Sequence, residues 1–327
     1  MKLRIITGRA GAGKSKLVLE TIAAQRFERQ QILLVPEHAT HEAELDLCRA
    51  LGDTASRDGE VLSFQSLATR VLSQTGGISD ITLDNGGKIL IMRRALQEVS
   101  SYLTVFSKPS QRPAFLRELV ALADELYAYK IAPSLLLQQV QDIPGAAGDK
   151  LRSTALLFGA YDARLHGGDF DARSKVQKLC DKLPNSDYLC GKDIYIDGFS
   201  YFNRTEEDII AAALKQANSV TVTLLGDDSD PQLFHNGIQQ RERLRRLAKD
   251  AGCSCEVENL VRNSDTAFSH LERYFLGAEK AWTGDTPPIT LYQANTAYSE
   301  VEYVSAQLRA LAQNGVRWRE MAVAARN

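Results

Sequence analysis

Near its start the chain reads Gly8-Arg9-Ala10-Gly11-Ala12-Gly13-Lys14-Ser15, which matches the pattern G-x-x-x-x-G-K-[ST] at every specified position. A short apolar run at residues 3–6 precedes this segment, and residues 16–25 after it have the apolar spacing of a helix. The order strand, glycine-rich loop and helix is the context in which this pattern is specific. It predicts a parallel α/β sheet that carries a phosphate-binding loop.

The residue types in this loop suit a nucleotide with its metal ion. Glycines allow backbone N–H groups to curl around phosphate oxygens, and the start of the following helix adds positive potential. Lys14 supplies a charge for the β and γ phosphates, and the Ser15 hydroxyl is placed to bind Mg²⁺. We therefore predict that ATP and Mg²⁺ bind at Gly8, Arg9, Ala10, Gly11, Ala12, Gly13, Lys14 and Ser15. The alternative is a glycine turn that binds nothing.

Strand and helix patterns alternate outward from the loop. Apolar runs at residues 32–35, 61–64, 194–196 and 220–225 read as strands, and helical periods separate them. Between residues 86 and 183 the pattern is helical throughout, without a convincing strand. The predicted fold class is α/β, a P-loop NTPase (RecA-like) parallel sheet with a large all-helical insertion.

The same patterns divide the chain into three predicted parts. Residues 1–85 and 190–282 form the phosphate-loop domain, residues 86–189 form the helical insertion, and residues 286–327 begin a second α/β domain. In that last part we expect strands at 289–292 and 321–325, with a helix between them. So short a unit cannot bury its own core, so we expect the chain to be a piece of a longer protein.

The composition excludes a disordered chain, a collagen-like repeat and a small disulfide-stapled protein. The chain has 327 residues, of which 44% are hydrophobic and 24% charged, as is ordinary for a globular protein. The formal net charge of −2 gives no overall positive field, so nucleic acid would need a local groove. The five scattered cysteines lack zinc-site spacing and suit the reduced thiols of a cytoplasmic protein. No apolar run approaches the ~20 residues that span a bilayer, so we expect no membrane partner.

Asp197 directly follows the apolar run 194–196. A carboxylate at the end of a strand next to a phosphate loop is typical of the second group that holds Mg²⁺ beside a nucleotide. We predict this role for Asp197, together with Ser15. The alternative is an aspartate that only forms a turn.

Further segments resemble UvrD/Rep-like superfamily 1 helicases. Residues 63–72 resemble their DNA-contacting segment after the third strand, and residues 226–234 resemble motif III with its glutamine displaced. Residues 35–40, 197–199 and 300–327 are similar to one branch, the AddB subunits of the bacterial AddAB ATP-dependent helicase/nucleases. The resemblance covers essentially the whole chain.

This resemblance implies a function in double-strand-break repair and homologous recombination. Proteins of the AddB type form a heterodimer with AddA, the active helicase/nuclease of the pair, and they bind the exiting 3′ single strand of DNA. They take part in recognising the Chi recombination sequence. They end in a nuclease domain held by an iron–sulfur cluster. That domain is absent from this sequence, so neither the nuclease activity nor the cluster is expected of it.

Two positions of the resemblance concern hydrolysis. Active helicases of this group carry a glutamate after the strand-terminal aspartate to polarise the attacking water, whereas this chain has Gly198. We therefore expect weak hydrolysis or none, with nucleotide binding retained, and the catalytic group stays unknown. Arg326 stands where the motif IV arginine of an intact second domain would reach the γ-phosphate. The alternative for Arg326 is a solvated side chain.

Four residues on the matching segments are candidates for DNA binding, because aromatic faces stack on bases and Arg or Thr contacts phosphates. They are Thr40, Phe64, Arg70 and Phe234. The alternative makes Phe64 a core residue and Arg70 a solvated charge. The basic run 241–246 has the same two interpretations, a backbone-binding surface or a solvated helix face.

Two other functions compete with a helicase-like part. A P-loop small-molecule or nucleoside kinase would use the helical insertion as a lid over its substrate. A structural module would serve mainly to dock AddA, with the nucleotide as an architectural ligand.

Overall fold

A computed structural model describes residues 2–52, 55–77, 83–106, 112–140, 143–166, 174–261, 266–274, 281–285 and 289–325. Two compact units divide the chain, residues 1–262 and residues 263–327. In the first unit, strands within the described ranges form one six-stranded sheet. They are β1 (Lys2–Gly8), β2 (Gln31–Leu34), β3 (Gly59–Leu62), β4 (Asp193–Ile196), β5 (Ser219–Leu225) and β6 (Ser254–Leu260).

The sheet is parallel throughout, with strand order β3-β2-β4-β5-β1-β6. Strand β1 lies between β5 and the edge strand β6 and pairs with both, so that Gly8 lies opposite Leu225 on one side and Leu260 on the other. Helices connect the parallel strands, as such crossovers require. The predicted α/β class is confirmed.

The helices alternate with the strands and fill the long connection between β3 and β4. They are α1 (Lys14–Ala24), α2 (Thr40–Leu51), α3 (Ala55–Asp58), α4 (Phe64–Thr75), α5 (Asn85–Val99), α6 (Pro113–Ala128), α7 (Pro133–Gln139), α8 (Gly145–His166), α9 (Lys175–Lys182), α10 (Arg204–Gln216), α11 (His235–Asp250), α12 (Ala267–Tyr274) and α13 (Ala297–Gln313). Several begin at a side chain that accepts a backbone N–H bond, which satisfies one free donor of the first turn. These capping residues are Ser63, Asp84, Ser174, Asn203 and Thr296.

The sheet carries apolar side chains on both faces, and helices cover both faces. Successive strand residues point to opposite faces, so Ile5 lies in one buried cluster and Ile6 in the other. Tyr195 shares the cluster of Ile6, while its neighbour Ile196 shares that of Ile5. Strands covered on both faces read as continuous apolar runs. That is why the sequence revealed the central strands.

The described residues between β3 and β4 contain helices and no strand, as the pattern predicted. Helices α5, α6 and α8 enclose a separate core, in which Tyr161 is fully buried. Helix α9 instead packs on α4 and α10, and Leu179 and Leu183 join the core of the sheet. The limits of the three predicted parts stay a prediction.

In the second unit α12 and α13 are the described α-helices, and a short 3-10 helix at Trp318–Glu320 follows them. The strands expected at 289–292 and 321–325 are absent, because neither segment pairs with another strand among the described residues. A strand forms only where its backbone bonds to a neighbour. Tyr292 instead stacks on Tyr303 of α13, with ring centres 3.7 Å apart. No described helix is long and apolar enough to cross a membrane.

Candidate nucleotide-phosphate site

The carboxyl ends of the parallel strands bring together the residues predicted to bind a nucleotide. The loop 8–13 leaves β1, Asp197 follows β4, and Gly226 follows β5. In open α/β sheets ligands bind at this edge, where loops from several strands meet. The sheet therefore places Asp197 at the same edge as the glycine-rich loop.

The glycines of the loop are required for two different reasons. Gly11 has φ 70° and Gly13 φ 90°, the left-handed region that side-chain-bearing residues rarely adopt. At Gly8 the limit is space, because a Cβ atom would lie 2.7 Å from the carbonyl oxygen of Leu260. Glycine at these three positions allows the backbone to curve between β1 and α1. Ala10 of the same loop is exposed.

Helix α1 begins at Lys14, directly after the loop, without a side-chain cap. The N–H groups of a first helical turn need an acceptor, and an anion can supply it. Ser15 is exposed in that turn, and no acidic side chain occupies it. This helix start is therefore electrostatically suited to a phosphate group.

Lys14 lies over its own loop. Its Nζ donates to the carbonyl oxygens of Gly8, at 2.8 Å, and Arg9, at 2.9 Å. These bonds hold the ammonium group beside the backbone that the glycines curve. A positive charge thus stands at the loop where phosphate oxygens would bind.

Asp197 is held by its neighbours on the sheet. The Thr223 hydroxyl of β5 donates to Asp197 Oδ1, and the Asp197 N–H donates to the Leu34 carbonyl oxygen at 2.9 Å. Strand β5 lies between β4 and β1, so the backbones of β4 and β1 are about 10 Å apart. No group of three His, Cys, Asp or Glu within the described ranges forms a metal site by itself.

Gly198 adopts a conformation that a glutamate would strain. Its φ is 82°, and a Cβ atom there would approach Pro36 Cδ to 3.4 Å. Gly198, at the position where the resemblance predicts a water-polarising glutamate, is therefore part of the turn itself. A glutamate at this position would therefore add about 1–2 kcal/mol of backbone strain.

Arg9 binds the loop that follows β5, a contact the sequence did not reveal. Its Nε donates to Asp227 Oδ2 at 2.5 Å, and its guanidinium lies 5.2 Å from the ring centre of Phe234. Burial raises the pKa of Asp227, but hydrogen bonds from Arg9 and from the Ser229 side chain and N–H outweigh it and lower the pKa to about 2. A pairing across more than two hundred residues leaves no local signal in the sequence.

The DNA candidates are scattered, and two of them are buried. Phe64 is 5% exposed and lies against Phe199, with ring centres 5.3 Å apart, which favours the core alternative. Phe234 is 8% exposed beneath Arg9. The Thr40 hydroxyl donates to the Glu37 carbonyl oxygen at the start of α2. Arg326 lies outside the described residues.

Arg70 is exposed and pairs with Glu60 at 2.8 Å. Both line a cavity of about 950 Å³ beside β3, where the Tyr188 hydroxyl also donates to Glu60. Lys192 lies over the Tyr188 ring, and burial lowers the pKa of its ammonium group. None of the residues lining this cavity belongs to the loop 8–15. This cavity and the glycine-rich loop are thus different places.

The chain matches the family described as "ADDB, N-terminal" over residues 5–272. It is 30% identical to the B subunit of the ATP-dependent helicase/deoxyribonuclease of Clostridioides difficile, over 100% of this chain and 30% of that protein. The identity is 31% to the proteins of that name from Desulforamulus reducens and Moorella thermoacetica, again over 100% of this chain. The chain spans 30% and 31% of the length of these two relatives.

Proposed function

The chain belongs to the AddB N-terminal family, and from this premise we propose that it is the helicase-like part of an AddB protein, one that binds ATP, Mg²⁺ and single-stranded DNA. Its curated relatives carry the name ATP-dependent helicase/deoxyribonuclease. For the whole protein, that name supports the use of a nucleotide, action on DNA and a function in repair. We extend the proposal to the exiting 3′ strand in recombination, and to a cytoplasmic heterodimer with AddA.

The observation that carries the ATP proposal is the loop between β1 and α1. Lys14 stands beside the curved backbone of Gly8 and Arg9, and α1 starts there without a side-chain cap. Backbone N–H groups and Lys14 would hold the phosphates. Ser15 and Asp197 would hold Mg²⁺ with the nucleotide, and the Thr223 hydroxyl fixes the Asp197 carboxylate. The metal would supply charge neutralisation at the β and γ phosphates.

The DNA proposal rests on the family, with Arg70 as the exposed candidate residue. The basic run in α11 supports it less, because three of its arginines pair with acidic groups. Arg241 pairs with Asp228, Arg243 with Glu207 and Arg245 with Glu242. Those pairs favour a solvated helix face for this run.

The test is calorimetric titration of the 327-residue chain with ATP and Mg²⁺. We expect ATP to bind, tripolyphosphate with Mg²⁺ to compete for the site, and adenosine to give no measurable heat. We expect this order of affinities because the contacts proposed for the loop are with phosphates and not with the base. Equal binding of adenosine and ATP, or no heat with ATP, would contradict the proposal.

Two further assays separate the alternatives. A nucleoside kinase would release ADP when a nucleoside is added and would be indifferent to DNA. A purely structural module would gain thermal stability with ATP by mass action, while the anisotropy of a labelled single strand would not respond to ATP. The helicase-like part should bind the strand with a salt-dependent affinity, because phosphate contacts release counterions.

Replacing Gly198 by glutamate is expected to leave ATP turnover low. The glutamate would have to adopt the left-handed backbone conformation, with φ 82°, and its Cβ atom would lie beside Pro36. We expect the free energy of unfolding to fall by about 1–2 kcal/mol. ADP release and thermal unfolding of Gly198→Glu measure the two effects.

Gly191→Glu is the matched control, because Gly191 has φ 71° with nothing within 4 Å of a Cβ atom. The glutamate of this variant would have the same kind of backbone strain, but at a position away from the sheet edge that holds Asp197. A rise in turnover of about tenfold with Gly198→Glu, equivalent to about 1.4 kcal/mol in the barrier, and none with Gly191→Glu would show that a glutamate alone restores hydrolysis.

A further inference from the structure

Arg9 belongs to the phosphate loop, yet its side chain contacts the segment after β5. The ion pair with Asp227 is largely shielded, with the two side chains 16% and 20% exposed. The ring of Phe234 covers the guanidinium from another side. Charges shielded from water attract each other more strongly than exposed ones. This contact is therefore a firm link between the loop and residues 227–234.

The backbone of Arg9 is linked to the phosphate site as well. Its carbonyl oxygen accepts a hydrogen bond from Lys14, and the Gly8 carbonyl accepts from both Lys14 and the Gly226 N–H, the latter at 3.3 Å. Phosphate oxygens arriving in the loop would compete for the Lys14 hydrogen bonds. Any adjustment of this backbone moves the residue whose side chain holds Asp227.

The segment after β5 continues into α11 through two contacts. Phe234 directly precedes the helix, and Asp228 pairs with Arg241 of α11 at 2.8 Å. These contacts connect the residues beside Asp227 to the first two turns of the helix. Residues 226–241 form one connected segment, and Arg9 ties it to the loop.

We infer that Arg9 is a positioning residue that couples occupancy of the phosphate loop to the position of residues 226–241. The inference rests on the proposed binding of ATP and adds a conformational consequence to it. The hydrogen bonds that hold the pKa of Asp227 at about 2 keep the pair charged at every physiological pH. The coupling is therefore expected to be independent of pH across the physiological range.

Hydrogen–deuterium exchange of the full chain tests this coupling with a non-hydrolysable ATP analogue and Mg²⁺. In the wild type we expect the exchange rate of amides in 226–241 to change about fivefold or more when the analogue binds. With Arg9→Gln the change should be lost at analogue concentrations that fill the site, whatever the affinity of the variant. Calorimetry on the same samples establishes that the site is filled.

Asp227→Asn is the second variant, because it breaks the same pair and leaves the loop sequence intact. Arg245→Gln is the matched control: its pair with Glu242 lies within α11, at 3.3 Å, and the response should persist. A full response in both Arg9→Gln and Asp227→Asn overturns the inference. So does a wild type that binds the analogue without any change in 226–241. A wild type that fails to bind the analogue overturns the proposed function, and the inference falls with it.

Discussion

Replacing Lys14 by alanine is expected to abolish most of the affinity for ATP and Mg²⁺. Hydrogen bonds to charged groups contribute about 1.5–3 kcal/mol each, and the loss should weaken binding roughly 10- to 150-fold. The effect is large because Lys14 is the cationic side chain that the structure places against the carbonyls of Gly8 and Arg9. Calorimetric titration with ATP measures it.

Lys16→Ala is the control for this variant. Lys16 lies in the same first turn of α1, but its side chain is 80% exposed and its acidic neighbour Glu20 is 3.8 Å away. Removing it should change ATP affinity by no more than about 1 kcal/mol. Without nucleotide, both variants should unfold near the wild-type temperature, because neither side chain is part of the core. Equal ATP affinity in Lys14→Ala and Lys16→Ala would exclude the proposed site.

The sequence predicted the central part of the sheet because local chemistry determines it. Strands β2 and β4 are buried on both faces, so their apolar runs are continuous and end at Pro36 and Asp197. The loop after β1 has glycines where the backbone needs positive φ. In each case the residues themselves carry the physical requirement.

Strand β6 was missed for the converse reason. It is an edge strand whose residues 254–260 are exposed or only half-buried, and its glutamates pair with Lys2 and Arg4 of β1. Charged residues on an edge strand protect it from pairing with other chains, and they remove the apolar signal. At 289–292 and 321–325 the error is the opposite, because strands were predicted where none forms. An apolar run forms no strand without a partner strand.

The candidate site was only partly predictable. Lys14 and Asp197 carry local signals and come to the same edge of the sheet, whereas the pairing of Arg9 with Asp227 depends on tertiary structure. The role of Phe64 was likewise undecidable from the sequence. An aromatic residue after a strand suits both a DNA-stacking surface and a core, and only burial distinguishes the two.

Phe64→Ala is expected to destabilise the protein strongly. Truncating a buried phenylalanine costs about 3–5 kcal/mol, because apolar burial is lost and a cavity remains. Phe64 is 5% exposed and packs in the main core of the sheet, against Phe199. Denaturant unfolding measures the loss. Phe27→Ala is the control, since Phe27 is 70% exposed, and its effect should stay within about 0.5 kcal/mol, as for other surface positions.

Phe64→Leu separates the core role from a DNA role, because leucine keeps an apolar side chain but has no ring. If Phe64 serves the core, this variant should lose less stability than Phe64→Ala, because the cavity left is smaller, and it should bind a labelled single strand as the wild type does. If Phe64 stacks on a base, the same variant should stay folded and lose about 1–3 kcal/mol of DNA affinity. The burial of the ring beside Phe199 favours the first outcome, since a base cannot reach a side chain that is buried in the core of the sheet. A folded Phe64→Leu with weakened DNA binding would require the segment 63–72 to open when DNA binds.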